Sequence, residues 1–325
     1  MTEVFTRALF DDDEFAVCID APEPDLDLAD WSYAHSDQLE TLAGRHPVIL
    51  LRGFDLGDED GFGRVRDVLV PKPAEYLYRS TPRSMVTEGI MTATEYPASE
   101  EIPQHCENAY QRDWPMRLLF CCLVTPETGG QTSVSDVAKV TARLDETDLN
   151  LVEERGIRYI RNYHTGFDLD WRTVFQTEKA SEVEEFCARN DISFEWVEDG
   201  QLRTSQVCQG TARHPANAER LWFNQAQLFH PSALGDDMME DMLEIFGADG
   251  LPRDARLGDG SPIPPRLLDN ARAAFAAETR EFDWCAGDVM IVDNMRAAHG
   301  RRPFTGDRRV LVSMGSMYSL HGLKG

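Results

Sequence analysis

Gly287-Asp-Val-Met-Ile-Val-Asp-Asn-Met-Arg-Ala-Ala-His299 is followed, after eight intervening residues, by Arg308-Arg-Val-Leu-Val-Ser-Met314. The first stretch opens with Gly-Asp and runs through four apolar residues. That pattern predicts a buried strand over residues 288–292. The second predicts another strand over 308–314, with Arg309, Leu311 and Ser313 on one face. Working outward, His46-Pro-Val-Ile-Leu-Leu-Arg-Gly-Phe54 and Arg117-Leu-Leu-Phe-Cys-Cys-Leu-Val124 read as further core strands. Glu127-Thr-Gly-Gly-Gln-Thr-Ser-Val-Ser-Asp136 reads as a Gly-Gly turn, a strand and then a helix. Both ends of the chain are strand-rich. The middle, from about 140 to 275, mixes helix and strand and carries many charges. The fold class expected is mainly β with α. It is a β-sandwich core, at about 45–318 of a single 1–325 domain, with a large α/β insertion at about 140–275.

Smaller readings fill in the rest. Asp30 is expected to cap one helix running to Ala43, and Asp58-Glu-Asp60 to start another. Residues 178–190 read as a helix. Residues 194–202 read as a hairpin turning at Asp199-Gly200. Residues 251–265 are rich in Pro, Gly and Asp and read as loop.

The formal charge is −25 over 325 residues, so the surface repels phosphate backbones and nucleic-acid binding is not expected. Lysine is confined to Lys72, Lys139, Lys179 and Lys324, the mark of a GC-rich genome or of a halophile. Seven cysteines without a CxxC pair argue against a disulfide framework or a structural zinc site, and for a cytoplasmic protein. No signal peptide is visible and no apolar run would span a bilayer.

The chemistry starts from Ile102-Pro-Gln-His-Cys-Glu-Asn-Ala-Tyr110. On a strand His105 and Glu107 share a face, with Cys106 turned away. A second such pair, His35 and Asp37, falls in a predicted helix, where residues two apart do not meet. Alone, a His-x-Glu pair is most simply a surface or capping pair, and His299 a hydrogen-bonded core residue. Together, two imidazoles and a carboxylate can occupy one face of an iron(II) ion and leave the opposite positions open. Arg309 adds a planar fork suited to a carboxylate; the alternative is a solvated turn with surface ion pairs, the reading given to Arg308. Arg296, Arg301, Arg302, Arg308 and Arg309 crowd one region, a local positive field for a dianion. Thr132, just past the Gly-Gly turn, could hydrogen-bond the same carboxylate or simply end that turn. Trp222-Phe-Asn224 is as compatible with a packed strand as with a substrate wall. His164, His214 and His230 read as structural. P-loop, Rossmann, HExxH and GxSxG patterns are absent.

From Val48 to Met314 the chain resembles the TauD/TfdA family of iron(II)- and 2-oxoglutarate-dependent dioxygenases. It is most similar to the SyrP-like branch, which includes hydroxylases of amino acids held on peptide-synthetase carrier proteins. The matching segments are Arg79-Ser-Thr-Pro-Arg83, Thr94-Glu-Tyr-Pro97, His105-Cys-Glu-Asn108, Trp114-Pro115, Gly129-Gly-Gln-Thr132, Phe175-Gln-Thr177, Trp222-Phe-Asn224, Phe229-His230 and the His299/Arg309 block. The resemblance implies a double-stranded β-helix (jelly-roll) core and His105, Glu107 and His299 as iron ligands. It implies Thr132 and Arg309 on the remote carboxylate of 2-oxoglutarate, with Ser313 where taurine-type enzymes carry a second Arg. It puts Arg79, Asn108, Trp222 and Asn224 against the substrate. Gln104, Cys106 and Gln227 depart from the branch's usual residues.

The activity implied is O2- and 2-oxoglutarate-dependent hydroxylation of an unactivated C–H bond in specialised metabolism, antibiotic biosynthesis included. The substrate would be of amino-acid type, on a peptidyl carrier protein or free. Desaturation, epoxidation and cyclisation use the same oxidant and stay open. Glu107 fills the position that related halogenases give to chloride, which disfavours halogenation. A non-catalytic jelly-roll binding protein and a zinc hydrolase are the readings from other classes. Edge strands and the insertion are compatible with an oligomer.

Overall fold

The computed structural model describes residues 4–10, 14–74, 78, 80–81, 83–94, 96–164, 166–197 and 200–320. Among these residues two sheets dominate. The larger has eight strands. Five of them, in spatial order, are Ala16–Asp20, Val48–Arg52, Val289–Asp293, Asp113–Val124 and Arg309–Ser319. Arg7–Ala8 extends one edge, and Ile90–Thr92 with Met85–Thr87 the other. The Ala16–Asp20 and Val48–Arg52 pair is parallel and the other neighbours are antiparallel. The smaller sheet runs Thr279–Phe282, Thr132–Asp136, Ala297–Arg301, Ile102–His105.

The alternation of side chains decides how these sheets stack. Phe120, Met290, Val310 and Val312 of the large sheet pack with Val134, Phe282 and Ala297 of the small one, so this cluster lies between them. The opposite face of the large sheet carries Ile49, Leu51, Leu119, Ile291 and Leu311. It is covered by Trp31 from the Leu28–Ala34 helix and by Phe62 and Val65 from the Glu59–Leu69 helix. Each such side chain removed from water contributes about 1.5–3 kcal/mol.

A third unit fills the middle of the chain. Four antiparallel strands in the order Ser193–Trp196, Leu202–Cys208, Ile157–Asn162, Arg253–Leu257 pack with helices around Tyr159, Trp171, Val183 and Leu267. Its apolar cluster continues into Cys106, Ala109, Tyr110 and Ala298. This unit therefore braces the turn that follows His105.

Three local expectations need correcting. The helix expected from Asp30 to Ala43 is two helices, Leu28–Ala34 and Ser36–Arg45. Asp27, not Asp30, caps the first, accepting from the Asp30 amide at 2.8 Å. The chain breaks at His35, whose Nδ1 donates to the Trp31 carbonyl at 2.8 Å while its ring stacks on Trp31. The region expected as loop from 251 contains the Arg253–Leu257 strand. Its Ala255 and Leu257 are buried, and pairing with Ile157–Asn162 overrides the weak local propensity of Arg-Asp-Ala-Arg-Leu. The hairpin joins Ser193–Trp196 to Leu202–Cys208, and Asp199 of its expected turn lies outside the described residues.

Gly300 shows how tightly the small sheet is built. A Cβ there would stand 2.5 Å from the Ile102 carbonyl oxygen and 2.9 Å from Gln104 Nε2 and Ser133 Oγ. Gln104 uses that space, donating to Ser133 Oγ at 2.5 Å and accepting from Ser135 Oγ at 3.1 Å. Its departure from the branch's usual residue thus serves the sheet. Gly300→Ala is expected to cost about 1–3 kcal/mol through overpacking against backbone. Urea denaturation of the variant checks this, and an unchanged midpoint would refute the close approach.

Candidate metal centre and carboxylate pocket

Strand register builds the site. Ala297–Arg301 lies between Ile102–His105 and Thr132–Asp136, with His299 directly opposite His105 and Arg301 directly opposite Thr132. The two imidazole rings are 4.4 Å apart at their centroids, and Phe120 closes on His299 at 5.0 Å. Each of His105, Glu107 and His299 offers one ligand atom, and these atoms all lie within 4.8 Å of one another.

Glu107 arrives by a different route from the one its spacing suggests. The strand ends at His105, and Glu107 begins the turn that follows. Asn294 holds it there. The Glu107 amide donates to Asn294 Oδ1 at 2.7 Å, and Asn294 Nδ2 donates to the carbonyls of Glu107 (2.9 Å) and Pro115 (2.7 Å). Asn294 is completely buried, and so gives up no water in exchange once folded. Sequence reading passed over it. Its position in Val-Asp-Asn-Met, just past a core strand, was the available signal.

Electrostatics prepare both histidines for a metal. Burial pushes the His299 pKa well below its ordinary value, helped by neighbouring His105 and Arg83. Burial also lowers that of His105, partly opposed by the Glu107 charge. Both rings are therefore neutral at neutral pH, the form that ligates. His105 Nδ1 donates to the Pro103 carbonyl at 2.9 Å, which leaves Nε2 for a ligand bond.

A cavity beside the triad is lined by Arg83, Thr94, His105, Thr132, His299, Arg301 and Arg308. Thr132 is buried there, its Oγ1 accepting from Trp284 Nε1 at 2.8 Å. Arg308 donates from Nε to the Gly130 carbonyl at 3.1 Å, and burial, reinforced by Arg301, pulls its pKa down to about 10. The Gly129-Gly130 turn makes the room, since a Cβ on Gly130 would meet Arg308 Cδ at 3.1 Å and Pro126 Cγ at 2.7 Å. Arg301 donates to the carbonyls of Tyr96, Pro97 and Glu100, tying that loop to the Ala297–Arg301 strand.

The remaining site candidates fall elsewhere. Arg309 is exposed and ion-pairs with Glu59 of the Glu59–Leu69 helix. Arg309, Leu311 and Ser313 do share a face, but it is the helix-covered outer face, while Val310 turns to the cavity. A bulge at Arg309/Val310 marks the change in pairing. Arg308, one residue earlier, is the arginine that reaches the pocket, because a single step along a strand exchanges faces. Ser313 is fully buried and donates to the Gly89 carbonyl at 2.7 Å. Trp222 packs in the insertion core with its amide on Thr141 Oγ1 (2.8 Å). Asn224 is spent on its own turn, donating to the Gly210 carbonyl (2.6 Å) and accepting from the Ala226 amide (2.9 Å). Neither lines the cavity. Asn108 is buried beside Glu107 at a φ of 57°, outside the lining. Gln227 is buried on the Ala226–Phe229 helix. Arg79 lies outside the described residues.

With this geometry in place, comparison with known proteins is informative. Residues 11–314 match the model of the taurine catabolism dioxygenase TauD, TfdA family. The chain belongs to that family. It is 39% identical over 300 residues to the dapdiamide synthesis protein DdaC of Enterobacter agglomerans, covering 90% of this chain and 91% of the relative. It is 28% identical over 287 residues to a clavaminate synthase-like protein of Arabidopsis thaliana, covering 85% and 83%. Among solved structures, PvcB of Pseudomonas aeruginosa superposes with a TM-score of 0.56 at 17% identity, over 96% of this chain and 90% of that one. As a TauD/TfdA member the protein is a non-haem iron, 2-oxoglutarate-dependent dioxygenase, and the His105, Glu107, His299 set fits iron(II) in donor type and convergence. None of its described helices is long and apolar enough to cross a membrane.

The lowered imidazole pKa values carry a signed consequence. Protons compete for a ligand only below its pKa, and both rings sit below the ordinary 6.5. Calorimetric Mn(II) affinity is therefore expected to stay flat from pH 8 down to about 6.5, where free imidazole would already be half protonated. A loss of affinity that begins above that point would contradict the assignment.

Proposed function

We propose that this dioxygenase hydroxylates an unactivated C–H bond of a free amino-acid-type substrate in specialised metabolism. The observation that carries the reading is a single cavity holding two neutral imidazoles, a carboxylate nearby, and the Arg308–Thr132 pair. In this reading His105, Glu107 and His299 bind iron(II), which, when bound, supplies the centre where O2 is reduced as 2-oxoglutarate loses CO2. Arg308 and Thr132 take the remote carboxylate of that cosubstrate, the guanidinium giving charge-assisted hydrogen bonds and the hydroxyl one more. Thr132 keeps this capacity because its Oγ1 accepts from Trp284 and so has its own proton to donate. The stacked eight- and four-stranded sheets supply the two walls of a jelly roll. Support for the substrate class comes from the likeness to a protein of dapdiamide synthesis.

A free substrate is favoured over one held on an acidic carrier by where the arginines point. Arg302 is paired with Glu101 and Glu281, Arg309 with Glu59, and Arg296 with the carbonyls of Gly44 and Arg45. Arg301 and Arg308 face the cavity. Most of the positive field is thus directed inward or paired with acids, and a chain of net charge −25 offers an acidic carrier little to dock on.

Two measurements test this. Incubation with iron(II), 2-oxoglutarate and a panel of free amino acids, with succinate as readout, should show substrate-stimulated turnover. Glu107→Ala and His299→Ala should remove it, at least about a thousandfold in rate. Turnover only with a carrier-loaded residue would overturn the free-substrate reading. Separately, Arg308→Ala should weaken 2-oxoglutarate binding at least about tenfold, the cost of a charged hydrogen bond, while Arg309→Ala leaves it unchanged. The reverse pattern would restore Arg309 to the site.

A further inference from the structure

We propose that Arg83 is a positioning residue that holds Glu107 to coordination through one oxygen and so keeps a metal position open for the cosubstrate. Arg83 Nη2 donates to Glu107 Oε2 at 2.5 Å, a short charge-assisted contact. The two side chains are 2% and 4% exposed, so the pair is sealed from water. Arg83 also lines the same cavity as His105 and His299. It therefore stands on the cavity side of the carboxylate, not behind it on the scaffold alone.

Three protein atoms on one face of a six-coordinate ion leave three positions. A 2-oxo acid bound through its C1 carboxylate and C2 oxygen takes two, and O2 needs the third. A glutamate is free by its own chemistry to bind a divalent ion through both oxygens. If Glu107 did so, one of those three positions would be lost. A guanidinium bonded to Oε2 engages the second oxygen and directs the first to the metal. The same contact offsets part of the carboxylate charge, which lowers the attraction for the metal itself. Arg83 therefore trades metal affinity for an open position.

That trade gives a signature which a merely structural role would not. Without Arg83 the buried carboxylate is left uncompensated, and a divalent cation relieves it through both oxygens. Metal binding should tighten while cosubstrate binding weakens. A residue that only braced the fold would weaken both together.

The proposal rests on the metal and cosubstrate roles assigned above, and the experiment separates the two. Mn(II) is titrated calorimetrically into the metal-free full chain, and 2-oxoglutarate into the Mn(II)-loaded protein, for wild type, Arg83→Met and Arg83→Lys. For Arg83→Met we expect Mn(II) bound about tenfold more tightly and 2-oxoglutarate about tenfold or more weakly. Arg83→Lys keeps the charge and loses the planar fork. It should lie between wild type and Arg83→Met in 2-oxoglutarate affinity, and it carries the test if the methionine variant does not fold. Loss of both affinities together, or no change in either, would overturn the role of Arg83. A lysine variant indistinguishable from wild type would overturn it too, since charge alone would then suffice. Failure of the wild type to bind Mn(II) would instead remove the metal centre, and with it this proposal.

Discussion

The register of one short strand organises the whole site. Ala297–Arg301 is held on both edges, by Ile102–His105 and by Thr132–Asp136, and that double pairing sets His299 against His105 and Arg301 against Thr132. A slip of one residue would send His299 to the opposite face and bring a neighbouring alanine or Gly300 to the metal position. Slippage is prevented by Gly300 itself, whose missing side chain admits Gln104 to bridge Ser133 and Ser135. Packing between the sheets and ligand geometry are thus one constraint. The apolar residues of the sandwich define which way the strand faces, and the metal site inherits that choice.

Much of this was legible in the sequence, and the reasons differ by residue. His105 and His299 were singled out because a His-x-Glu pair, a second histidine past a Gly-Asp-started strand and a following arginine form an ordered set, although neither histidine lies in an apolar run. Glu107 does converge with the two histidines, but the premise of a shared strand face fails, since it lies in a turn and is held there by Asn294. Arg309 was chosen over Arg308 because alternation alone does not say which face of a strand looks inward. Both faces of the large sheet are covered, one by the small sheet and one by helices, so both read as apolar. Trp222 and Asn224 looked like a substrate wall because aromatics and amides suit one. In the fold Trp222 packs in an apolar cluster with its backbone amide on Thr141 Oγ1, and the Asn224 side chain is used on the backbone of Gly210 and Ala226. Arg83 was within a quoted segment, yet nothing local announces that its partner is Glu107, 24 residues away.

Charge is handled by segregation. A chain of net charge −25 gathers Arg83, Arg301 and Arg308 around one cavity. Each has a distinct partner: Arg83 the carboxylate of Glu107, Arg301 three loop carbonyls, Arg308 the Gly130 carbonyl. Of the arginines nearby, Arg302 is neutralised by Glu101 and Glu281, and Arg309 by Glu59. An acidic chain thus places its positive charge beside the cavity where a dianion is needed.

Glu107 hangs from the amide of Asn294, a residue at the end of the Val289–Asp293 strand in the opposite sheet. The centre is therefore suspended between the two halves of the sandwich instead of being carried by either. Prising the layers apart must release the ion, and an ion in place must resist the prising. Occupancy of the centre and cohesion of the scaffold become a single thermodynamic quantity, so a cell short of iron would hold not just an idle enzyme but a looser one.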